Sequence, residues 1–485
     1  MLMMRSKHVF KGIGWAGSLA VWCLLVWVQS AAAAPGRNIV FILVDDMRYD
    51  AMSCAGHPFL ETPAIDALAE NGVRFDNAFV TTSLCSPSRA SFLTGLYAHN
   101  HGVMNNHTRL DPSLATFPRL LQGAGYKTAF IGKWHMGGSS NAPRPGFDYW
   151  ASFRGQGRYH ENDFNINGQH EHIEEYVTDT VTRLGLDFVR ANRDQPFMVY
   201  MSHKAVHGDY DPAPRHRGKY SDAKIEFPAS MAYTPENYYR KPRWVLRQRG
   251  SYHGVDDVYF GRMSLKDAIL DYNRCMLGIE DSVAEVVATL KELGLYESTL
   301  IVLAGDNGFM FGEHGMIDKR CMYEESIRVP MVMSCPELFG TAGKRVKKMV
   351  LNIDVAPTFL EAAGVEVPEA MQGMSFLRLA EQPEMAWRDA FLYEYLWEPP
   401  YPETPSMFGI RTDQHKYVQY HGVWDTNELY DLAKDPDELH NRLSTSRRKK
   451  VTVDPGYEKT YRDLRTRLQK LIADTGARSM PSWKQ

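Results

Sequence analysis

Four short runs of apolar residues, each followed by a group of polar residues, dominate the hydrophobic pattern of the chain. These runs cover residues 38–44, 127–131, 197–201 and 299–304. Nearly continuous apolar runs of this length are typical of strands in a parallel sheet that helices cover on both faces. We therefore predict four central strands, each with polar residues at its carboxyl end.

Segments with helical periodicity lie between the predicted strands. Pro63 suits the first position of one helix, and Gly72 suits its end. Residues 267–293 carry apolar side chains at a spacing of 3.6 residues, and Gly294 follows as a stop signal. This alternation predicts an α/β fold with a large doubly wound sheet, in which ligands bind beyond the carboxyl ends of the strands.

The first 34 residues differ from the rest of the chain. Three basic residues precede an apolar stretch at 13–28, and four alanines follow at 31–34. This order is typical of a secretory signal peptide. The alternative is an uncleaved membrane anchor, although the apolar stretch is short for a span of about 20 residues. We predict that residues 1–34 are a signal peptide, that the mature protein is exported (periplasmic, secreted or lumenal), and that it keeps no stable membrane span.

Charge and cysteine content narrow the function classes. The 485 residues include 55 Lys and Arg and 58 Asp and Glu, which gives a net charge of −3. Nucleic-acid-binding proteins carry a strong basic excess, so we expect no nucleic-acid partner. Of the six cysteines, five lie beyond the predicted signal peptide, and no CxxC pair occurs. An odd number of cysteines in an exported protein indicates a reactive or modified thiol.

Acidic residues follow two of the predicted strands. Asp45 and Asp46 come directly after the first strand, and Asp306 and Asn307 come after the last. The carboxyl ends of parallel strands meet at one edge, where three crowded carboxylates repel one another unless a cation lies among them. Oxygen ligands select a hard cation, calcium or magnesium. The alternative is that each Asp caps a helix, but the doublet and the Asp-Asn pair together favour a metal site.

Cys85 opens a segment that Pro87 and Gly95 mark as a helix. The N-terminus of a helix attracts anions because its free amides and its dipole are positive there. Arg89 lies one turn further on and can reach the same place. A nucleophile, an arginine and an anion site together indicate chemistry on a phosphate or sulfate ester. From the residues alone, Cys85 is either a thiolate nucleophile or a buried apolar side chain.

The segment 85–95 resembles the type I sulfatase signature C-x-P-S-R followed by L-T-G, from the alkaline-phosphatase-like superfamily. Further blocks of that family occur in the family's order: Asp45-Asp46, Gly132-Lys133-Trp134-His135, Lys204-Ala205-Val206-His207, Gly305-Asp306-Asn307-Gly308, Gly312-Glu313-His314-Gly315, Asp318-Lys319-Arg320, Tyr323–Pro330 and Glu428–Leu432. The resemblance covers about residues 36 to 445. Segments 96–106 and 318–320 look like the branch of glycan sulfatases that includes the N-acetylglucosamine-6-sulfatases.

The resemblance implies that a maturation enzyme oxidises Cys85 to formylglycine, whose hydrated aldehyde attacks the sulfur of a sulfate ester. The second hydroxyl of the hydrate then helps to eliminate sulfate, and neither a serine nor an unmodified thiol has that hydroxyl. The resemblance also implies a divalent ion, calcium rather than magnesium, that offsets charge in the transition state. Its ligands would be Asp45, Asp46, Asp306, Asn307 and the modified Cys85.

The resemblance assigns roles to the remaining charged residues of these blocks. Arg89 would orient the hydrate, and Lys133 and Lys319 would contact sulfate oxygens. His135 would hydrogen-bond the formylglycine hydroxyl and act as the base in sulfate release. His207 would protonate or polarise the leaving oxygen.

Three other features leave alternatives open. His203 lies four residues before His207, which would place both on one face of a helix, but the family block favours His207. His314 is a candidate for supporting the side chains that contact the substrate, without touching the substrate itself. Residues 397–405 either rim the pocket or pack between domains. The polar residues 154–172 predict a long surface insertion and are candidates for contact with substrate.

By resemblance, the mature chain divides into a catalytic domain at 35–377 and a smaller C-terminal α+β domain at 378–485. The second would hold a short antiparallel sheet and a closing helix at 457–474. The expected function is hydrolysis of a sulfated carbohydrate, with glucosamine 6-O-sulfate or a related glycan sulfate as the first choice. The alternatives are a phosphomonoester, phosphodiester or phosphonate hydrolase on the same scaffold, and a non-catalytic glycan-binding relative that has lost part of the site.

Overall fold

The structure is a computed structural model that describes residues 36–137, 139–422, 425–445 and 450–478. The predicted signal peptide lies outside the described residues. No helix among the described residues is both long enough and apolar enough to cross a membrane.

The strands form one large sheet and three small ones. They are β1 (Asn38–Val44), β2 (Val73–Phe75), β3 (Ala78–Phe79), β4 (Lys127–Lys133), β5 (Tyr149–Phe153), β6 (Asn162–Ile166), β7 (Gln169–Ile173), β8 (Phe197–Ser202), β9 (Thr299–Gly305), β10 (Arg328–Val329), β11 (Met331–Ser334), β12 (Lys344–Val346), β13 (Val350–Leu351), β14 (Ala390–Tyr395), β15 (Ser406–Thr412), β16 (His415–His421), β17 (Glu428–Asp431), β18 (Leu443–Thr445) and β19 (Val451–Val453).

The α-helices connect these strands or pack on the sheets. They are α1 (Pro63–Glu70), α2 (Cys85–Thr94), α3 (Ala98–His101), α4 (Phe117–Gly123), α5 (Val177–Ala191), α6 (Pro235–Tyr238), α7 (Arg243–Gln248), α8 (Leu265–Glu292), α9 (Glu324–Ile327), α10 (Pro336–Phe339), α11 (Val355–Ala362) and α12 (Glu458–Asp474). Short 3-10 helices lie at Ser53–Ala55, Ala229–Met231, Glu313–Gly315, Asn352–Asp354 and Leu377–Ala380.

The four predicted strands lie side by side in the middle of the large sheet. Its strand order is β12-β2-β11-β9-β1-β8-β4-β5-β6-β7. Strands β9, β1, β8 and β4 are mutually parallel, as their continuous apolar character predicted. The predicted mixed but mostly parallel α/β architecture is therefore confirmed, and the carboxyl ends of these four strands share one edge.

Helices cover both faces of the large sheet. Successive residues of β1 belong alternately to two different apolar clusters, because side chains of a strand point to opposite faces. Val283 of α8 lies in the cluster on one face, and Phe359 of α11 lies in the cluster on the other. The two buried faces explain why β1 tolerates no polar residue between Ile39 and Val44.

The polar segment 154–172 lies largely at the surface, as predicted, and it is also an ordered extension of the large sheet. It contains β6 and most of β7, an antiparallel hairpin that extends the edge of the large sheet. The turn is Asn167-Gly168, with φ of 51° and 93°, and Asn-Gly is a strong signal for a two-residue hairpin turn. The exposed edge strand β7 has little apolar character, which is why its periodicity was missed.

The C-terminal part of the chain forms a smaller antiparallel sheet, as predicted. Strands β14, β15, β16 and β17 pair in sequence order, and α12 packs against them through Leu464, Leu468 and Ile472. These three residues repeat every four positions, so they line one face of the helix. The domain boundary expected after residue 377 falls in a short 3-10 helix and stays a prediction.

His101, at the end of α3, predicts that the fold loses stability in acid. The amide of Val103 donates to its Nδ1 (3.1 Å), and its Nε2 lies 3.1 Å from the hydroxyl of Ser91, so the ring is neutral. Burial and the nearby His99 lower the pKa of His101 to about 3. The unfolded chain takes up this proton near pH 6.5, so the free energy of unfolding falls as the pH drops from 6.5 to 3.

We expect His101→Asn to flatten this pH dependence, because asparagine still accepts from Val103 but does not titrate. The slope between pH 4 and pH 6 should decrease by about 1.4 kcal/mol per pH unit, as measured by urea unfolding. His107→Asn, at an exposed histidine on the following loop, is the matched control. An unchanged slope in His101→Asn would show that the imidazole does not titrate in this way.

Candidate active site

Parallel pairing brings the predicted acidic residues together. Val44 pairs with Gly305, so the residues after β1 and β9 leave the sheet at the same level. The amide of Asp46 donates to Oδ1 of Asp306 (2.9 Å), and Nδ2 of Asn307 donates to Oδ1 of Asp46 (2.7 Å). Oxygen atoms of Asp45, Asp46 and Asp306 lie within 4.8 Å of one another. The three carboxylates are buried side by side.

Three cations surround this acidic group, and all three were predicted from the sequence blocks. Lys133 donates to Asp45, and Lys319 donates to Asp46. Arg89 donates from Nε to Oδ2 of Asp306 (2.9 Å). Although burial raises the pKa of Asp45, the charges of Lys133, His207 and Arg89 hold it well below its usual value. Burial and Asp45 raise the pKa of Asp306 to about 7.

Cys85 is the first residue of α2 and lies inside this charged cluster. Its side chain is fully buried, with Sγ 3.4 Å from Oδ1 of Asp45 and 3.2 Å from Nζ of Lys319. Burial and the charge of Asp45 raise the pKa of the thiol to about 12. An unmodified Cys85 is therefore protonated at neutral pH, which argues against the thiolate nucleophile that the sequence left open.

The residues of the acidic cluster fit a hard divalent cation. Oδ1 of Asn307 is buried and accepts no hydrogen bond from the described residues, although buried carbonyl oxygens almost always have a partner. It lies beside the carboxylates of Asp46 and Asp306. The donor atoms of this cluster are one amide oxygen and several carboxylate oxygens. Calcium and magnesium prefer oxygen ligands of this kind.

Two of the four candidate histidines lie at this edge of the sheet. His135 follows β4 with a φ of 63°, its side chain is buried, and its Nδ1 has no partner among the described residues. His207 places Nε2 3.8 Å from Oδ2 of Asp46. Its Nδ1 lies 2.5 Å from the carbonyl oxygen of Gly208, which only accepts, so Nδ1 carries the proton.

His203 and His314 lie away from the acidic cluster. His203 directly follows β8 and is fully buried against α8, with Nε2 3.3 Å from the hydroxyl of Ser282. This placement agrees with the choice of His207 over His203. His314 stacks on the ring of Tyr323, with 3.9 Å between ring centroids. Burial lowers the pKa of both histidines, so they are neutral packing residues.

A cavity of about 610 Å³ opens above the cluster, with Asp46, His207 and Lys319 in its lining. Cys85 lies in contact with Lys319, below this lining. The other walls of the cavity carry polar and aromatic side chains. These include Arg158, Tyr159, His160, Lys204, Asp209, Tyr252, His253, Asp318, Arg320 and Tyr401. A concave site with a few fixed charges and several aromatic rings is typical of a pocket for a polar organic ligand.

Comparison with known proteins identifies the family. A family model described as Sulfatase matches residues 37–365, and one described as N-sulphoglucosamine sulphohydrolase, C-terminal, matches residues 312–473. The chain belongs to the sulfatase family. It is therefore a sulfuric ester hydrolase, and the family implies a formylglycine and a divalent metal ion.

Several relatives of this sulfatase have been described. An N-acetylglucosamine-6-O-sulfatase of Bacteroides thetaiotaomicron is 33% identical over 463 residues, covering 83% of this chain and 82% of that protein. An N-acetylglucosamine-6-sulfatase of Capra hircus is 30% identical, covering 76% of this chain and 68% of that protein. Both relatives span most of the described fold.

Solved structures show the same architecture. One, in complex with its substrate D-glucosamine-2-N,6-O-disulfate, has a TM-score of 0.82 and 29% identity, and covers 91% of this chain and 98% of that chain. A phosphonate monoester hydrolase of Agrobacterium radiobacter has a TM-score of 0.73 and 22% identity, and covers 90% of this chain and 96% of that chain. The second likeness concerns the fold alone.

Several lining residues of the sulfatase pocket received no role from the sequence. Lys204 is buried, with Nζ 4.7 Å from the centroid of the Tyr159 ring, and burial and Lys133 lower its pKa to about 8. Arg320 lies over the ring of Tyr401 (3.5 Å) and donates to Asp318 (2.7 Å). Each lies within one of the predicted sequence blocks, which was the only signal available.

The segment 397–405 rims this pocket. Tyr401 lines the cavity, and Glu398 accepts from Nε of Arg320 (3.0 Å). Of the two alternatives for this segment, the structure supports the pocket rim. The smaller C-terminal sheet, through its β14–β15 connection, therefore contributes to the pocket that the large sheet begins.

Proposed function

We propose that this sulfatase removes the 6-O-sulfate from glucosamine or a closely related sulfated glucosamine unit of a glycan. The observation that carries the proposal is the position of Cys85, between Asp45 and Lys319 at the base of a polar and aromatic pocket. The relatives that are named N-acetylglucosamine-6-sulfatases and the structure with bound glucosamine disulfate support the choice of sugar.

The metal of the proposed site is calcium. Asp45, Asp46, Asp306 and Asn307 would hold it together with the formylglycine formed from Cys85. Bound there, the ion would offset negative charge on the sulfate group in the transition state. Calcium suits this site better than magnesium, because calcium accepts more oxygen ligands and a less regular geometry.

The other charged residues around the metal site have separate proposed roles. Lys133 and Lys319 neutralise the sulfate oxygens, because both ammonium groups reach the acidic cluster that the sulfate must approach. Arg89 holds the first turn of α2 in place through Asp306 and through the carbonyl of Lys133 (2.9 Å). His135, next to α2, is the proposed base for sulfate release.

His207 is the residue proposed to protonate or polarise the leaving oxygen, and it does so in the doubly protonated form, in which Nε2 also carries a proton. Its side chain is 22% exposed and lines the pocket, whereas His203 is fully buried against α8. The hydrogen bond from Nδ1 to Gly208 fixes the ring, so that Nε2 faces Asp46 and the pocket. A group that exchanges a proton with the leaving oxygen needs both this access and this fixed orientation.

A substrate panel tests the proposed function. We expect glucosamine 6-O-sulfate to be hydrolysed with a kcat/KM at least about 100-fold above that of glucosamine 3-O-sulfate, a difference of about 2.7 kcal/mol in transition-state binding. The assay measures sulfate release by ion chromatography. Matched aryl sulfate and aryl phosphate esters are run in parallel.

Two outcomes would contradict the proposal. Preference for the 3-O-sulfate would overturn the assigned position on the sugar. Preference for the phosphate ester would favour the alternative of a phosphoester or phosphonate hydrolase. The two anions are separable because a sulfate monoester carries one negative charge and a phosphate monoester carries close to two.

Export and maturation complete the proposal. We infer that residues 1–34 direct export of the chain, so that the mature enzyme meets glycans outside the cytoplasm. We also infer that a formylglycine-generating enzyme modifies Cys85. Because Cys85 is fully buried in the folded chain, this enzyme must act before α2 packs against the end of β1.

A further inference from the structure

A second cavity, of about 450 Å³, carries three arginines. Arg109, Arg119 and Arg144 line it. Among the described residues, none of these guanidinium groups lies within 4.0 Å of a carboxylate oxygen. Asp111 also lines the cavity, but its Oδ1 accepts from the amide and the hydroxyl of Ser113 (2.8 Å each). The cavity therefore carries three guanidinium charges and one carboxylate, and the carboxylate is paired with none of the three.

Within the part of the chain that the structure describes, the three arginines donate only to neutral acceptors. Arg119 donates to the carbonyl oxygen of Pro112 (2.7 Å), and Arg144 donates from Nη2 to that of Ser140 (3.1 Å). The Nε of Arg144 is buried and has no partner among the described residues. Burial and the charge of Arg109 lower the pKa of Arg144. An anion bound here would relieve the repulsion and accept from the unpaired Nε.

The apolar part of the cavity is aromatic. Trp134 and Phe147 line it with their rings 6.3 Å apart and close to perpendicular (86°). Pro143 and Pro145 also contribute to the wall. Rigid rings and prolines beside arginines suit a flat ligand that has both C–H faces and acidic groups. A sugar with a sulfate ester or a carboxylate has both features.

Two segments join this cavity to the substrate pocket. Asn106 lines the pocket and accepts from the amide of Ser86, next to Cys85 (3.0 Å). Arg109 follows three residues later, which is at most about 11 Å along the chain. On the other side, Trp134 lies between Lys133 and His135 in the sequence. A ligand in the cavity is thus within reach of a glycan chain whose end occupies the pocket.

We propose that this arginine cavity is a second glycan subsite. It binds an acidic group, either a sulfate ester or a carboxylate, on a sugar unit of the same chain whose terminal sulfated glucosamine lies in the substrate pocket. This inference rests on the proposed function. It makes sulfated oligosaccharides, and not isolated sulfated sugars, the preferred substrates.

The test compares two substrates in one double variant, Arg109→Gln with Arg144→Gln. For a tetrasaccharide that ends in glucosamine 6-O-sulfate and carries acidic sugars behind it, we expect KM to rise about tenfold, equivalent to about 1.4 kcal/mol. For the monosaccharide glucosamine 6-O-sulfate, KM and kcat should not change. Arg190→Gln with Arg193→Gln, at two exposed arginines at and just after the end of α5, is the charge-matched control.

Several outcomes would overturn the subsite. One is an equal loss on both substrates, which indicates a structural effect, and another is no loss on the tetrasaccharide. A third is the same loss on a tetrasaccharide whose inner sugars are neutral, because the acidic group would then be irrelevant. Tetrasaccharides with only inner sulfates or only inner carboxylates show which anion binds.

A binding measurement separates this inference from the proposed function. In a Cys85→Ala background, calorimetry with the acidic tetrasaccharide reports affinity without turnover. We expect the double variant to weaken this affinity about tenfold, with the difference shrinking at high salt. Unchanged affinity would overturn the subsite even where the wild-type enzyme hydrolyses the monosaccharide. Failure of the wild type on the monosaccharide would instead count against the proposed function.

Discussion

Cys85→Ala is expected to abolish sulfate ester hydrolysis, with a fall in kcat of about 10⁴-fold or more. Alanine cannot be oxidised to formylglycine, so the proposed nucleophile is absent while Lys133, Lys319 and the acidic cluster remain. The fold should survive, because the change removes one buried sulfur atom and costs about 1 kcal/mol. Activity is measured with an aryl sulfate, and stability is measured by thermal unfolding.

Cys335→Ala is the matched control for this experiment. Cys335 is also fully buried, but its Sγ contacts the carbonyl of Glu297 (3.5 Å), which precedes β9, whereas Asp306 follows the other end of that strand. Its replacement should leave kcat unchanged. Mass spectrometry of the tryptic peptide 75–89 from active enzyme should show the aldehyde at position 85. Active enzyme that contains only the unmodified thiol would refute the proposed mechanism.

Asp306→Asn is expected to remove the bound divalent ion and the activity together. Asn keeps the shape and still accepts from Arg89, but one of three carboxylate charges is lost. A metal ion contributes several kcal/mol to stabilising transition-state charge, so kcat should fall about 10³-fold or more. Metal content is measured by elemental analysis of the purified protein.

A chelator provides a second arm of the metal experiment. Wild-type enzyme should lose activity on chelation and regain it with calcium, whereas Asp306→Asn should not regain it at the same concentration. Asp50→Asn is the control, since Asp50 pairs with Arg48 (2.8 Å) and not with the cluster. Full metal content in Asp306→Asn would exclude Asp306 as a ligand. Recovery with magnesium but not calcium would exclude the proposed calcium.

The central strands and the acidic cluster could be predicted from the sequence, because local pattern and topology agreed there. A short apolar run that is buried on both faces is typical of a central strand. The carboxyl ends of parallel strands lie at one edge of the sheet. Asp45 and Asp306 are 261 positions apart, yet the place of each in the fold could be predicted from the apolar strand that directly precedes it. The helix at Cys85 was marked in the same local way by Pro87 and Gly95.

The hairpin at β6 and β7 shows the limit of hydrophobic periodicity. Its edge strand faces solvent, so its residues have no reason to alternate, and only the Asn167-Gly168 turn carried a signal. The pocket contacts of Lys204 and Arg320 could not be predicted from the sequence for another reason. Nothing in their neighbourhood along the chain indicates that Tyr159 and Tyr401 will pack against them, because those contacts form only when distant loops meet.

By itself, the sequence determined the central sheet, the acidic edge and the position of Cys85, since each depends on a short segment and on the geometry of parallel strands. The tertiary structure decided the shape of the pocket, the burial of His203 away from that pocket, and the cavity of unpaired arginines. These features depend on side chains that loops bring together across the sheet edge, and burial and charge act on them only after the chain has folded.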